Sequence, residues 1–401
     1  MNNRITASLA ASLLLLATTA GCANSPTHQN YAETGDADDV TVGDGGVRAG
    51  RAKPTGGGGQ GGNGGGAPIG GAMGGTMGGA MGGTMGAAMP PQEAVSEKLV
   101  PARGAWWGAS VVADASIRWD WQRAFKDFEA KAERKLDIWS RYHDWGSTDN
   151  GLFPDQYEQA QLKEGTILHV NWATRQFTAG NNITWTEIKD GMQDEVIDAA
   201  IQRVKAAGAR LMIGFDQEME EHKEDGPDSH YAAAYRYIVQ RFRNAGVTNV
   251  VWVWSPAGWK ADWARLSALY PGDAYVDWLG YSAYNFYSCN NDGWVDPLAR
   301  FRAFYEWMHE PAQMAWHGSK PYMLSEFSSH EDSADPARKG QWMRGVINAL
   351  KALPDLKAAQ FHYWVVSLSG GACSFQMDSS PQALQGYVAA GRDPYVNQPH
   401  Q

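Results

Sequence analysis

Cysteine is scarce in this chain, at three in 401 residues, and so is charge, with Asp, Glu, Lys and Arg at 19 %. Basic residues are outnumbered, 34 Lys and Arg against 44 Asp and Glu, which leaves a formal net charge of -10. No basic cluster breaks that balance, so a nucleic-acid binder is disfavoured, because that role needs a positive footprint. No Gly-rich phosphate loop follows the first strand-like run, which argues against a doubly wound nucleotide fold. The segment 218–222 holds Glu218, Glu221 and His222 but not the His-Glu-x-x-His order of a zinc hydrolase. Neither a metal nor an organic cofactor is called for.

The long apolar run is at the N-terminus, over residues 5–20, too short for a membrane span and preceded by the positive Arg4. It reads as a secretory signal over 1–21. Thr19-Ala20-Gly21-Cys22 resembles a bacterial lipobox, with Cys22 as the acylated residue; ordinary cleavage nearby is the alternative. The expectation is an exported protein, held at the cell surface or outer membrane by a lipid on Cys22 or otherwise secreted. In that oxidising setting Cys289 and Cys373 are expected to pair, the alternative being two unrelated buried thiols.

Residues 22–99 cannot build a core. Residues 36–44 are acidic and 56–86 are Gly-rich, with Gly-Gly-Ala-Met-Gly-Gly-Thr-Met occurring twice. Such a chain buries too little apolar surface to offset the entropy of ordering Gly, and is read as a flexible linker. The repeated Met could bind soft copper ions, but its spacing also fits simple repeat expansion.

What is abundant is aromatic: 18 Trp, 16 Tyr and 12 Phe. Such a load either fills a large core or offers flat apolar faces to ligands such as sugar rings. From residue 100 to 395, strand-like runs at 106–112, 135–142, 166–172, 210–215, 249–254, 276–282, 321–327 and 356–364 alternate with helix-like segments, the clearest at 186–207, 231–244, 296–308 and 336–350. Gly208 and Gly246 supply helix stops before two of the strands. Eight such units read as an α/β (β/α)8 TIM barrel.

In such a barrel the working residues sit at the strand C-termini. That rule gathers Tyr142 to Trp145, His169 to Trp172, Asp216 to Glu218, Trp252 to Pro256, Tyr281 to Asn285, Glu326, and His362 to Trp364 on one rim. Two carboxylates, Glu218 and Glu326, then flank an aromatic cleft, as glycoside hydrolysis requires. Trp172, Trp254 and Trp259 offer sugar platforms, and Asn171 and Gln217 offer hydrogen bonds to hydroxyls. Glu220, Glu221, Glu224 and Asp225 crowd after Glu218 and read as a solvated acidic loop. Trp106 and Trp107 are adjacent, so at most one of them faces the barrel interior.

Four motifs, Phe215-Asp216-Gln217-Glu218-Met219, Val251 to Pro256, Val276 to Tyr284 and Lys320 to Phe327, resemble glycoside hydrolase family 26 in order and spacing. The likeness spans about 102–387. It implies a retaining (β/α)8 hydrolase, mainly of β-mannan, with Glu218 as acid/base and Glu326 as nucleophile. It further implies that Tyr284 touches the nucleophile, Trp364 floors the cleavage subsite and His143 contacts sugar. Gln217 stands where the resemblance implies His, Lys223 where it implies Trp, and Ser282 where it implies Asp.

The expected partner is a polysaccharide and the chain is expected to be a monomer. A β-glucanase or β-1,3-xylanase on the same scaffold, or a non-catalytic carbohydrate-binding surface lipoprotein, are the alternatives. A retaining pair implies carboxyl groups roughly 5 to 5.5 Å apart.

Overall fold

The computed structural model describes residues 95–397 apart from 114, 118–119, 147–150, 178–179 and 369–370. The expected signal, Cys22 and the Gly- and Met-rich linker up to residue 94 lie outside the described residues. Eight strands, β1 (Trp106–Ser110), β2 (Ile138–His143), β3 (Ile167–Trp172), β4 (Leu211–Phe215), β5 (Val250–Trp254), β6 (Trp278–Asn285), β7 (Tyr322–Ser329) and β8 (Leu356–His362), pair in parallel and in chain order. β8 returns to β1, with Trp106 opposite Ala358 and Ser110 opposite His362, so the sheet closes. Closure excludes the open-sheet alternative.

Around the barrel run α1 (Trp121–Ala132), α2 (Gln156–Lys163), α3 (Trp185–Lys189), α4 (Asp194–Ala207), α5 (Asp228–Asn244), α6 (Trp263–Leu269), α7 (Pro297–Met308), α8 (Pro311–His317), α9 (Pro336–Ala352) and α10 (Pro381–Gly391). A two-stranded antiparallel hairpin, β9 (Val365–Leu368) and β10 (Gly371–Ser374), extends beyond β8. The helix expected over 186–207 is two helices. Thr184 caps α3 in a reciprocal box with Glu187, and Gly191, at φ +79°, turns the chain before α4. Gly208 ends α4 in the left-handed conformation, as its position before a strand implies.

Side-chain parity along the strands decides what reaches the centre. Inside, Trp106, Ile138, Ile167, Met212, Val251, Val253, Trp278, Met323 and Ala358 form an apolar floor. The segment before β1 closes this end: the Trp106 indole donates to Leu99 O at 2.7 Å and that of Trp278 to Lys98 O at 2.6 Å. Above the floor the filling turns polar, with His169 Nδ1 3.0 Å from Gln360 Oε1 and Asn171 Nδ2 donating to Ser140 Oγ at 3.0 Å. Burial lowers the His169 pKa to about 4, against the hydrogen bond to Gln360 and the charge of Glu326, so the imidazole is neutral. Gly280 leaves room here for the Ser255 to Ser325 hydrogen bond at 2.6 Å; a Cβ would stand 2.1 Å from Ser325 Oγ.

The opposite parity, including Trp107, Trp139, Trp172, Phe215, Trp254, Leu324 and Phe361, packs against the helices. The pair Trp106 and Trp107 therefore splits, one to the floor and one to the helix layer.

Candidate active site

β4 ends in a short stretch of costly backbone. Asp216 (φ +46°) and Glu218 (φ +61°) both take left-handed conformations that favour Gly, and each such non-Gly residue costs roughly 1 kcal/mol. The neighbourhood holds them there. Glu218 N donates to Ser255 O at 2.8 Å, tying the turn to the end of β5. Asp216 is fully buried and accepts from the Trp185 indole at 2.7 Å, from Thr174 Oγ1 at 3.1 Å and from His222 Nδ1 at 3.0 Å.

Asp216, His222 and Asp225 bring ligand atoms within 4.8 Å of one another, a group with metal-binding chemistry. Thr174 and Asn182 donate to Asp225 at 2.7 Å each, so hydrogen bonds to protein already engage these carboxylates. Burial works against a charged His222, but the charge and hydrogen bond of Asp216, with the charges of Asp225 and Glu224, prevail and raise its pKa to about 9. The cluster is therefore built around an imidazolium, which pins the turn carrying Glu218.

A group whose pKa rises on folding contributes stability that is complete below its unfolded pKa of about 6.5 and is lost as pH rises through the folded value. Urea unfolding of wild type and His222→Gln should therefore show its largest stability difference below pH 6.5, shrinking towards pH 9. A difference independent of pH across that window would contradict the imidazolium.

Glu326 reaches the interior through a bulge. Tyr281 pairs with Leu324, but the next residue, Ser282, pairs with Glu326, so Ser325 is extra in β7. Leu324 faces the helices, and without the extra residue Glu326 would share its parity and face them too. Instead the carboxylate, 2 % exposed, lies at the centre of a cage of donors. Tyr142 of β2 and Tyr284 of β6 each donate a short hydrogen bond to it, Gln217 Nε2 donates at 2.6 Å and His362 Nδ1 lies at 2.9 Å. Tyr284 OH also meets His362 Nδ1 at 2.7 Å; since the hydroxyl donates to Glu326, the ring nitrogen is the donor in that contact.

Burial alone would raise the Glu326 carboxyl, but the His362 charge and the hydrogen bonds from His362, Tyr142 and Tyr284 overcome it and hold the pKa below the usual carboxylate value. Burial and the charge of Glu326 push the Tyr284 hydroxyl well above its ordinary pKa, so it stays a donor. Glu218, 6 % exposed, accepts a short hydrogen bond from Ser282 Oγ, the residue opposite Glu326 in the sheet. Ser282 thus holds Glu218 from the strand position beside Glu326, and Gln217, adjacent to Glu218, binds Glu326 directly.

One wall of the site is a row of rings. Tyr142 stacks on His362 with centroids 5.5 Å apart, His362 on Trp364 at 5.0 Å, and Trp364 on Phe375 at 6.1 Å. A disulfide joins Cys289 to Cys373 behind it, with Cα atoms 5.2 Å apart, and Tyr284, Phe286, Trp364 and Phe375 pack around the bridge. Trp259 lies against this cluster, stacked on Phe286 at 5.8 Å and hydrogen-bonded to Glu221.

Of the residues singled out from sequence, Glu218, Glu326, Gln217 and Tyr284 converge on one point, and Trp364 flanks it through His362. Asn171 faces the interior but gives its amide to Ser140. Three others are corrected. His143, Trp172 and Trp254 have the outward parity of their strands and lie among the helices. His143 Nε2 is 2.7 Å from Glu158 of α2. Trp172 stacks on Trp145 at 4.2 Å, and Trp254 meets Tyr270 edge-on at 5.2 Å. All three are shielded from the cleft and are packing residues.

Trp172→Ala should accordingly lower unfolding free energy by about 3–5 kcal/mol, the cost of emptying a large core site. Chemical denaturation measures it; an unchanged stability with weakened ligand binding would return Trp172 to the cleft.

The acidic loop is solvated only in part: Glu224 is exposed and Glu221 half-buried, but the other two acids are buried. Glu220 is fully buried and accepts from Gly258 N at 3.0 Å, and Asp225 is buried in the His222 cluster. Burial, then the neighbouring Glu220, pushes Glu221 up to about 7. Sequence reasoning put Tyr142, Ser282 and His362 on the rim but gave none of them a contact with the two carboxylates. Counting strand parity inward from the apolar floor, where Ile138 and Tyr142 share a face, is the signal that finds Tyr142.

The sequence model described as Glycosyl hydrolase family 26 matches residues 221–356, a span that contains Glu326 and begins just after Glu218. Endoglucanase H of Acetivibrio thermocellus is 26 % identical over 284 residues, 67 % of this chain. The chain spans 29 % of that relative's length. Among solved structures, GH26C of a Muricauda species superposes with a TM-score of 0.53 at 14 % identity, covering 75 % of this chain and 88 % of the other. The GH26 β-mannanase BoMan26A of Bacteroides ovatus gives 0.52 at 15 % identity, covering 75 % and 92 %. This chain is therefore a closed (β/α)8 barrel that is similar to glycoside hydrolase family 26 over residues 221–356.

Proposed function

We propose that the barrel is a retaining β-glycoside hydrolase acting within a polysaccharide, with β-1,4-mannan as the first candidate substrate. The observation that carries this reading is Glu326: a buried carboxylate held below the usual carboxylate pKa within four convergent donors, beside the strand position of Ser282, which holds the second carboxylate, Glu218. An ionised, desolvated carboxylate is a nucleophile prepared for an anomeric carbon.

In the first step a Glu326 oxygen forms a bond to that carbon while the bond to the leaving oxygen breaks and Glu218 gives that oxygen its proton. The product is a glycosyl ester of Glu326. In the second step Glu218, now a carboxylate, takes a proton from water as the water oxygen attacks the same carbon and Glu326 departs. Two inversions restore the β configuration. Tyr142 and Trp364, at the exposed side of the ring row that the fully buried Phe375 backs, offer the apolar faces that a pyranose stacks on.

β-Glucan is the second reading, favoured by the similarity to endoglucanase H of Acetivibrio thermocellus. Gln217 and Ser282, which replace the His and Asp of the family pattern, bear on the same choice. Export, with a lipid on Cys22 tethering the barrel through the Gly-rich stretch, is part of the proposal, and would bring the site to polymers outside the cell.

The test is reducing-sugar release by the full chain on mannan, glucomannan, mixed-linkage β-glucan and β-1,3-xylan, with Glu218→Gln and Glu326→Ala as controls. Release on mannan that both substitutions remove supports the proposal. Binding without turnover on every polymer would make the barrel a carbohydrate-binding lipoprotein instead.

A further inference from the structure

A cavity of about 190 Å³ opens beside the candidate catalytic carboxylates, between the β5–α6 connection and the first turns of α7. Ser282 and Tyr284, which touch Glu218 and Glu326, lie on its inner wall; Trp259, Lys260, Trp263 and Arg300 are among its other lining residues. The volume corresponds to about six waters at roughly 30 Å³ each, enough for one sugar residue or a substituent of one.

Arg300 is the unusual member. Its Nε is buried and has no hydrogen-bond partner among the described residues. Burial depresses its pKa, opposed by the charge of Asp292. Leaving a guanidinium donor buried and unpaired is costly, and in a cavity of this size an acceptor on a bound ligand would complete it. A guanidinium offers a planar fork that matches a carboxylate with two parallel hydrogen bonds. Lys260, exposed at the mouth, adds a second positive charge on a rim otherwise rich in carboxylates. The two tryptophans supply flat apolar faces for a ring. Each indole nitrogen is already engaged elsewhere, Trp263 with Gly258 O at 2.9 Å and Trp259 with Glu221, which fixes the rings in place.

We propose that this cavity is a subsite for an acidic sugar, a uronic acid residue or branch of the polysaccharide whose carboxylate pairs with Arg300. The assignment rests on the glycoside hydrolase reading only in making the acidic sugar part of the chain being cleaved. Because Ser282 and Tyr284 belong to both spaces, a residue seated in the cavity adjoins the one at the cleavage point. The favoured substrate is then a heteropolysaccharide carrying uronate, and a wholly neutral polymer leaves Arg300 unpaired.

Binding of monosaccharides tests this without any glycosidic bond to cleave. The full chain is titrated by ligand-observed NMR with glucuronate, glucose and glucose 6-sulfate, alongside Arg300→Gln, Arg300→Lys and Ala303→Leu. Ala303 lines the cavity, and Leu there fills it without altering charge. Glucuronate should bind wild type at least tenfold tighter than glucose, lose at least tenfold in Arg300→Gln and Ala303→Leu, and recover in part in Arg300→Lys. Thermal unfolding by circular dichroism confirms that each variant is folded; should Arg300→Gln fail to fold, Ala303→Leu and the glucose comparison decide.

Glucuronate bound no better than glucose, or equally well by the folded variants, overturns the subsite. Tighter binding of glucose 6-sulfate than of glucuronate overturns the carboxylate assignment. A chain that binds glucuronate through Arg300 yet releases no reducing sugar from any polymer would refute the hydrolase and keep the subsite; the converse would refute the subsite alone.

Discussion

Glu326→Ala is expected to abolish polysaccharide hydrolysis, lowering kcat by about 10⁴-fold or more, the scale on which loss of a covalent nucleophile acts. No neighbour can replace it. Tyr142, Gln217, Tyr284 and His362 surround the carboxylate as hydrogen-bond donors, and none of them supplies a second carboxylate at that position. The substitution leaves a small hole lined by those same donors, suited to a small anion. Azide or formate should therefore restore turnover of an aryl β-glycoside, and the azide product should be the α anomer, since a single displacement from the Glu326 side inverts the centre. Activity that survives the substitution, or a β-configured azide product, would remove Glu326 from the nucleophile's role.

Glu218→Gln is expected to cost about 10² to 10⁴-fold on a polysaccharide, the range for a lost general acid. The loss should depend on the leaving group. A dinitrophenolate departs without a proton, so formation of the glycosyl-enzyme from a dinitrophenyl glycoside should be nearly as fast as in wild type, and the intermediate should accumulate as a burst because its hydrolysis still lacks a base. With Glu218→Ala, azide should attack that intermediate and give the β product, the opposite of the Glu326 result. An equal loss for good and poor leaving groups would mean that Glu218 acts by some means other than proton transfer.

The eight strands were legible because each is short and rich in buried apolar and aromatic residues, continuously so in β4 and β5, and recurs between helix-like segments. The helices were less so. α2 is short and polar, and only its Asp155 to Glu158 capping box announces it. α10 carries Gly386 and Gly391, which read as breakers. Gly386 is instead a packing requirement: a Cβ there would lie 2.2 Å from Gly340 O of α9, where the two helices touch.

The site was legible at Glu218 and Glu326 because a carboxylate at the end of an apolar run is conspicuous. It was misread at His143, Trp172 and Trp254 because position at a strand end says which rim a residue occupies and parity says which face. Tyr142 and His143 differ by one residue, and one binds Glu326 while the other binds Glu158 in the helix layer. The bulge at Ser325 was out of reach for a different reason. Nothing in Leu324-Ser325-Glu326-Phe327 announces an extra residue, and pairing with β6 alone reveals it.

The central claim is that hydrolysis proceeds through an ester of Glu326 with Glu218 as its proton partner. The most direct test is the anomeric configuration of the first product, followed by proton NMR during the opening minutes of hydrolysis of a β-linked oligosaccharide by the wild-type chain. The β anomer appearing first, with the α anomer arising later by mutarotation, is the predicted result. The α anomer appearing first would mean a single displacement by water, and would contradict the role given to Glu326.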